Sequence, residues 1–391
     1  MNERILISGG SIAGLALAHW LARYGFRTTV VERAPAPRTG GNGVDVRAQA
    51  VEVAERMGIM ARVRALAADV RGMKFVDASD RTVARVGTQD PASVEIMRGD
   101  LVALLREVTD TEYLFDDSVR RLEQDDDGVL VTFERAPARR FHLVVGADGM
   151  HSTVRRLAFG PEERFVRFKD HYFAFANADA ALGEDRWVTM FNTPGRMTGI
   201  YRSGNHAQAK AYFMFRSAPL AYDPRDIAEH KRLLGERFAG DRSWRNRELL
   251  DSALADPEFY FDALAQVRMS SWHNGRVALV GDAAWCASPA SGAGAELALV
   301  GAYRLAGELA AADGDHRAAF PRYHTVHRPL VDRKQQIGPN VRIMIPRTAP
   351  GRFARDTFAR LPLMNAMGSL DRRSQARSTT ALPDYSRPGR P

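Results

Sequence analysis

The sequence predicts an α/β fold: a nucleotide-binding domain on a parallel sheet, an inserted β-sheet domain, and a C-terminal bracing helix. Three observations carry this. A strand, glycine turn, helix and second strand open the chain between Arg4 and Arg33. Two later apolar strands empty into an acid beside glycine, at Asp148-Gly149 and Gly281-Asp282. Between those two stations, roughly from Phe165 to Ala265, aromatic and alternating runs read as a sheet with one apolar face. A chain of 391 residues also exceeds what one core serves well, so two domains are expected.

The opening unit reads as follows. Arg4 to Ser8 is a short buried strand, Gly9, Gly10, Ser11 and Gly14 make the turn, and Leu15 to Tyr24 is a helix. A second strand, RTTVVER at 27–33, reaches its acid at Glu32. This is the Rossmann-like βαβ arrangement, which seats a pyrophosphate on free N–H groups at a helix N-terminus. Gly9 permits the tight turn and Gly14 lets helix and strand pack closely, while Ser11 holds the middle position where glycine is usual. Arg4, the apolar run and Ala16-Leu17-Ala18 also suggest a cleaved secretory signal. Gly9-Gly10-Ser11 would break its apolar core, and Glu32 stands about 20 residues beyond the turn, where a ribose-binding acid belongs. The nucleotide reading is preferred.

Composition narrows the class. Apolar content of 45% and charged content of 26% are those of a soluble globular protein. No apolar run is long enough to span a bilayer, so no membrane partner and a cytoplasmic location are expected. The single cysteine, Cys286, excludes intrachain disulfides and cysteine-rich metal sites; no metal is expected. The net charge of +8 comes from 55 basic residues of which only five are lysine, scattered and mostly beside acids. That distribution argues against a nucleic-acid partner, the alternative class, while favouring attraction of anionic cofactors.

Further along, residues 33–44 form a Pro- and Gly-rich loop in which Arg33 follows the ribose acid, either against an adenine or as a surface residue. Ala50, Val53, Ala54 and Met57 recur at helical spacing within 44–59, just after Arg47. Alternation at Met73, Phe75, Val83, Val86, Val94 and Ile96 predicts strands of the second sheet. Arg98 to Val108 reads as a helix, and strands follow at Tyr113–Phe115, Val119–Leu122 and Val129–Phe133. The acidic run 125–127 lacks the ligand alternation of a calcium loop and reads as a hairpin turn. Leu143 to Val145 leads into Asp148 and Gly149, and Ser152 caps a helix. Met190, Tyr201, Tyr212, Phe213 and Phe215 belong to the second sheet, as core or as the lining of a pocket for a flat organic molecule. Helices are expected at Ile227–Phe238 and Trp244–Ala255. Pro289, Gly292 and Gly294 shape a loop before a helix from Ala295 to Ala312 with few charges (Glu296, Arg304, Glu308), which must be buried almost all round. The expected domains are 1–70, 97–164 and 268–335 for the nucleotide, 71–96 and 165–267 for the substrate, a helix in 336–370, and a poorly ordered tail over 371–391.

Together the stations Gly9–Glu32, Asp148-Gly149 and Gly281-Asp282 resemble those of the class A FAD-dependent aromatic hydroxylases, the flavoprotein monooxygenases that include tetracycline-inactivating and polyketide-tailoring members. The resemblance covers about residues 1–335. It implies that Gly9, Ser11, Gly14 and Glu32 hold the FAD pyrophosphate and ribose, and that Arg98, in Ile-x-Arg-x-x-Leu, contacts the phosphate–ribityl side. It further implies that Asp148 and Gly149 serve FAD and a transient nicotinamide cofactor, and that Asp282 binds the ribityl chain. Pro289 and the run Gly292, Ala293, Gly294 and Ala295 match the loop beside the isoalloxazine, and Arg47 an arginine near the flavin. The chain departs at Ser11, and at Trp285, where many members carry histidine.

The implied activity is insertion of one oxygen atom from dioxygen into an aromatic or polycyclic small molecule through a flavin hydroperoxide, with NADPH or NADH as transient electron donor. Secondary-metabolite tailoring or xenobiotic modification would use it. Reduced flavin is anionic at its pyrimidine edge, which a helix N-terminus at 295 would stabilise. Alternatives on the same fold are a dehydrogenase or reductase without oxygenation, and Baeyer–Villiger insertion. Catalytic candidates beyond the cofactor loops are Tyr201, His171 and His206, for each of which a structural role is the default, and Arg47, by default a surface residue. A monomer or homodimer is expected.

Overall fold

The computed structural model describes residues 4–37, 40–87, 92–336, 344–348, 350–351, 353–354, 357 and 381–385. Arg4–Ser8 lies inside a six-stranded sheet, with Leu143–Gly146 parallel on one side and Arg27–Glu32 parallel on the other. Val277–Leu279 and Glu112–Phe115 extend it outward, again in parallel, and the edge strand His273–Asn274 is antiparallel. Ile5, Leu6 and Ile7 are fully buried, as expected of a strand covered on both faces. Ser8 pairs with Gly146 and Gly146 with Leu279, so all three stations leave the sheet at its C-terminal edge, where parallel sheets bind ligands.

Two helices pack beside this sheet. The first, Ile12–Arg23, begins early enough that Gly14 lies in its first turn. The second, Gly294–Ala311, buries sixteen of its eighteen residues, among them its three charged side chains Glu296, Arg304 and Glu308. His316–Gln335 packs against it, and Tyr323 in that helix donates from its hydroxyl to the Leu279 carbonyl at 3.1 Å.

The second sheet has seven strands in the order Tyr260–Val267, Val166–Ala178, Ala209–Arg216, Arg196–Tyr201, Trp187–Thr193, Gly72–Val76 and Thr82–Gly87. One face, carrying Tyr172, Ala174, Phe213 and Phe215, packs against Ile227–Phe238 and Asn246–Ala255. The opposite face carries Phe173, Phe175, Tyr212 and Tyr260.

Three expectations change. Val94 and Ile96 form a strand, Ser93–Met97, but it pairs with Gly43–Arg47 in a two-stranded ribbon and not with the second sheet. Residues 43–47, read as the approach to a helix, are the partner strand, and the helix starts at Gln49. Alternation announces a strand; it does not name its neighbour. Third, residues 381–385 of the expected tail are packed. Leu382 and Tyr385 are buried, the Tyr385 hydroxyl donates to Glu308 Oε1 at 2.6 Å, and the Tyr303 hydroxyl donates to the Pro383 carbonyl at 2.8 Å. Gly307 makes room: a Cβ there would stand 2.1 Å from the Tyr385 ring. Most of the helix expected in 336–370, and the rest of the tail, lie outside the described residues.

Removing this strap exposes helix surface and strands a buried carboxylate. Tyr385→Ala should cost about 3 kcal/mol, and Gly307→Ala should also destabilise, by forcing the ring away. Chemical denaturation tests both; midpoints matching the unsubstituted protein would refute the docking of this segment.

Candidate active site

The first turn touches the second station because glycine stands at the contact. Gly9 has a φ of +111°, and a Cβ on it would lie 2.4 Å from the Ala147 carbonyl oxygen. Gly14 is tighter still, its notional Cβ 1.9 Å from the Gly9 carbonyl oxygen. Ser11 precedes the helix without capping it, and no acid occupies the first helical turn. The free N–H groups and the positive dipole end therefore suit an anion. Ser11 Oγ accepts instead from the Arg98 guanidinium at 3.0 Å. Glu32 ends its strand with both oxygens anchored, Oε2 accepting from Gly10 N–H at 2.8 Å and Oε1 from Ala34 N–H at 2.9 Å. Arg33 beside it is exposed.

Asp148 behaves differently from the expectation of a ligand-facing acid. Its carboxylate accepts from Ser152 Oγ at 2.5 Å and from the N–H groups of Thr153 and Val154 at 2.8 and 3.1 Å. It thereby caps the helix Thr153–Phe159 and shapes the loop. Gly149, with φ +83° and nothing within 4 Å of its Cβ position, leaves open backbone. At the third station Asp282 is exposed, whereas Trp285 is buried against Trp272 and His327, with ring centroids 4.5 and 4.6 Å away. This tryptophan therefore fills core.

The loop after it is strained and polar. Ser288 holds a φ of +79°, costly for a residue with a side chain, and its Oγ is buried without a hydrogen-bond partner among the described residues. Gly292 and Gly294 are exposed while Ala293 and Ala295 are buried, so the glycines present backbone and the alanines anchor it. Gly294–Ala311 begins with no side-chain cap. Glu296, in its first turn and 1% exposed, takes Arg47 Nε at 3.2 Å and Lys334 Nζ at 2.8 Å. Arg47 also donates to the Ser291 carbonyl at 3.1 Å. A buried carboxylate with two cations ties ribbon, loop and last helix together. Sequence reasoning singled out Arg47 but neither partner. The available signals were a first-turn acid in a helix with only three charges and one of only five lysines.

Facing this loop, Phe173, Phe175 and Leu264, with Tyr212, Met214 and Tyr260, form an apolar wall in contact with Ala290. Phe175 and Tyr260 stack at 4.8 Å. Behind them, Asp262 accepts from the Tyr260 and Tyr222 hydroxyls at 2.9 and 3.1 Å and meets His151 Nε2 at 3.1 Å. His151, from the second station and unremarked in the sequence, also meets Glu162 at 2.9 Å, and so joins the two sheets. Of the catalytic candidates, Arg47 and Tyr201 lie in this region. His171 is buried with Nδ1 against the Lys169 carbonyl at 2.9 Å, and His206 bridges Asn205 and Asp100 at 3.1 and 3.3 Å. Neither is part of the aromatic wall. Among the described residues no cluster of three or more His, Cys, Asp or Glu is placed to hold a metal ion, and no helix is long and apolar enough to cross a membrane.

A family profile described as "FAD binding domain" matches residues 3–331. The chain belongs to this family, the class A flavoprotein hydroxylases. Within it, an uncharacterized protein of Mycobacterium tuberculosis is 43% identical, the match covering 85% of this chain and 92% of that protein. A flavin-dependent monooxygenase of Legionella longbeachae is 37% identical, over 86% of this chain and 88% of its own. The crystal structure of tetracycline destructase Tet(55) superposes with a TM-score of 0.82 at 36% identity, over 98% of this chain and 99% of that one. This family member is an FAD-dependent monooxygenase.

Burial alone would lower the pKa of His151, but its bonds to Asp262 and Glu162 outweigh that and raise it to about 9. An unfolded histidine titrates near 6.5, so this latch is fully present below about pH 6.5 and is lost as pH rises towards about 9. Unfolding midpoints of the parent and His151→Gln should therefore converge between pH 6 and roughly 9; parallel curves would exclude the latch.

Proposed function

We propose that this monooxygenase holds FAD across the three stations and oxygenates an aromatic or polycyclic small molecule lodged between the glycine loop and the aromatic wall. The observation that carries the reading is that wall, which contacts Ala290 of the loop on the side away from the helix-packed face of its sheet. The residues fit the cofactor. Uncapped helix starts at Ile12 and Gly294, open backbone at Gly149 and Gly294, and the exposed Asp282 together suit a dinucleotide with an electron-rich ring.

In this reading Gly9, Ser11, Gly14 and Arg98 bind the pyrophosphate, Glu32 and Arg33 the adenosine end, and Asp282 the ribityl chain. Gly292 to Ala295 line the pyrimidine edge, where the helix N-terminus favours negative charge. Bound FAD supplies two-electron acceptance from NADPH or NADH and activation of dioxygen. The chain's own part is to orient the ring system and exclude water. Phe173, Phe175, Tyr212 and Tyr260 give a flat apolar surface, and Arg47, fixed by Glu296 and Ser291, holds the loop in place.

Two measurements test this. FAD-loaded protein supplied with NADPH, labelled dioxygen and ring substrates, tetracycline among them, should yield product carrying one labelled oxygen atom. Consumption of NADPH that yields only hydrogen peroxide with the whole panel would sink the proposal. Separately, Arg98→Ala should weaken FAD binding on the order of 10- to 100-fold, the worth of a charged hydrogen bond, with little effect on the unfolding of the apoprotein. Unchanged FAD affinity would remove Arg98 from the site.

A further inference from the structure

The apolar face of the second sheet continues past the aromatic wall. Met197 pairs with Met214 and Gly199 with Tyr212, so Met197 lies on the same face as the wall, one strand beyond it. On the next strands Met190 pairs with Gly199, and Phe75 with Met190. Phe75, Met190 and Met197 are buried together, and Met214 packs both against them and against the wall. Gly199 provides a seat: a Cβ there would stand 2.6 Å from Met190 Sδ, so the thioether lies over bare backbone.

What closes this part of the face comes from far along the chain. Ile345 is fully buried in the same cluster as Phe75, Met190 and Met197. Its backbone is fixed on either side. The Met344 carbonyl accepts from Asn192 Nδ2 at 3.0 Å, and the Pro346 carbonyl from the Gly195 N–H at 2.9 Å. Both donors belong to the hairpin of Trp187–Thr193 and Arg196–Tyr201. The anchors are thus main-chain carbonyls of its neighbours, so the side chain at 345 can change size without releasing the segment that carries it.

We propose that Ile345 is the end stop of the substrate pocket and limits the length of the ring system that the protein accepts. This rests on the reading of the wall as the substrate pocket. The wall beside Ala290 and the cluster sealed by Ile345 meet at the half-buried Met214. Met197 stands two strands from the strand of Phe175, about 10 Å at the usual strand spacing. A ring system that lies on the wall and extends away from the cofactor loop therefore meets Met214 and then the cluster under Ile345. The thioethers are unbranched and polarisable and shape themselves to a ring. Ile345 is β-branched and stiff, so it sets the limit. That makes it a specificity-determining residue with no part in oxygen transfer.

The test uses two neutral probes that differ by one fused ring, 2-naphthalenemethanol and 2-anthracenemethanol, in equilibrium dialysis against the FAD-loaded protein. Ile345→Ala should shift the affinity ratio towards the longer probe by about 10-fold, the worth of burying part of one more ring. FAD content and the affinity for the shorter probe should stay in place. Ile345→Val, too small a change to threaten the fold, should shift the ratio the same way by about 3-fold, the worth of one methylene. Ile345→Phe should shift it the opposite way. A ratio that is the same in the unsubstituted protein and the variants would overturn the end stop while leaving the pocket intact. Failure of both probes to bind the unsubstituted protein would overturn the pocket and the end stop together.

Discussion

The structure depends on a contact from which side chains are excluded. Gly9 meets Ala147, and Gly14 meets Gly9, at distances that no Cβ could occupy. That approach draws three segments from distant parts of the sequence to one sheet edge, with Ser8 beside Gly146 and Gly146 beside Leu279. Without it the turn at 9–14, the loop at 147–149 and the loop after 281 would not share a cleft. Steric permission, more than any attractive interaction, fixes where a dinucleotide can lie.

What attaches the second sheet is of the opposite kind. Charged and polar ties, each spanning a long stretch of sequence, cross from one sheet to the other. His151 reaches Asp262, and His206 reaches Asp100. Within the cofactor side, Glu296 gathers Arg47 and Lys334. Each is partly or wholly buried, so its strength depends on being complete; a lone member would be a desolvated charge. Such ties fix register between layers that apolar packing alone would allow to slide.

Local features were legible in the sequence. Glycines with enforced roles, periodicities of two and of 3.6, and acids at strand ends located the opening unit, the stations and the buried 294–311 helix. Pairings over long separations were not. The alternation at Val94 and Ile96 gave a strand correctly but could not say that residues 43–47 would be its partner. An acid such as Asp148 looks the same whether it turns towards a ligand or back onto its own helix, as its bonds to Thr153 and Val154 show. The polar composition after residue 371 concealed Leu382 and Tyr385, two apolar anchors whose pocket exists only once the helix at Gly307 is folded.

The interleaved order of the six-stranded sheet has a cost during synthesis. Its inner strand 143–146 takes its outer neighbour from residues 277–279, more than 130 residues later, with most of the second sheet made in between. At ordinary ribosomal elongation speeds that interval is on the order of ten seconds. Throughout it, a fully apolar parallel strand has an unpaired edge and no covering long helix. Such an edge invites pairing with another nascent chain. A sheet that collects its cofactor loops from three parts of the chain must therefore be kept apart from its neighbours until the ribosome has passed residue 311, which makes yield in a foreign host sensitive to translation speed and chaperone supply.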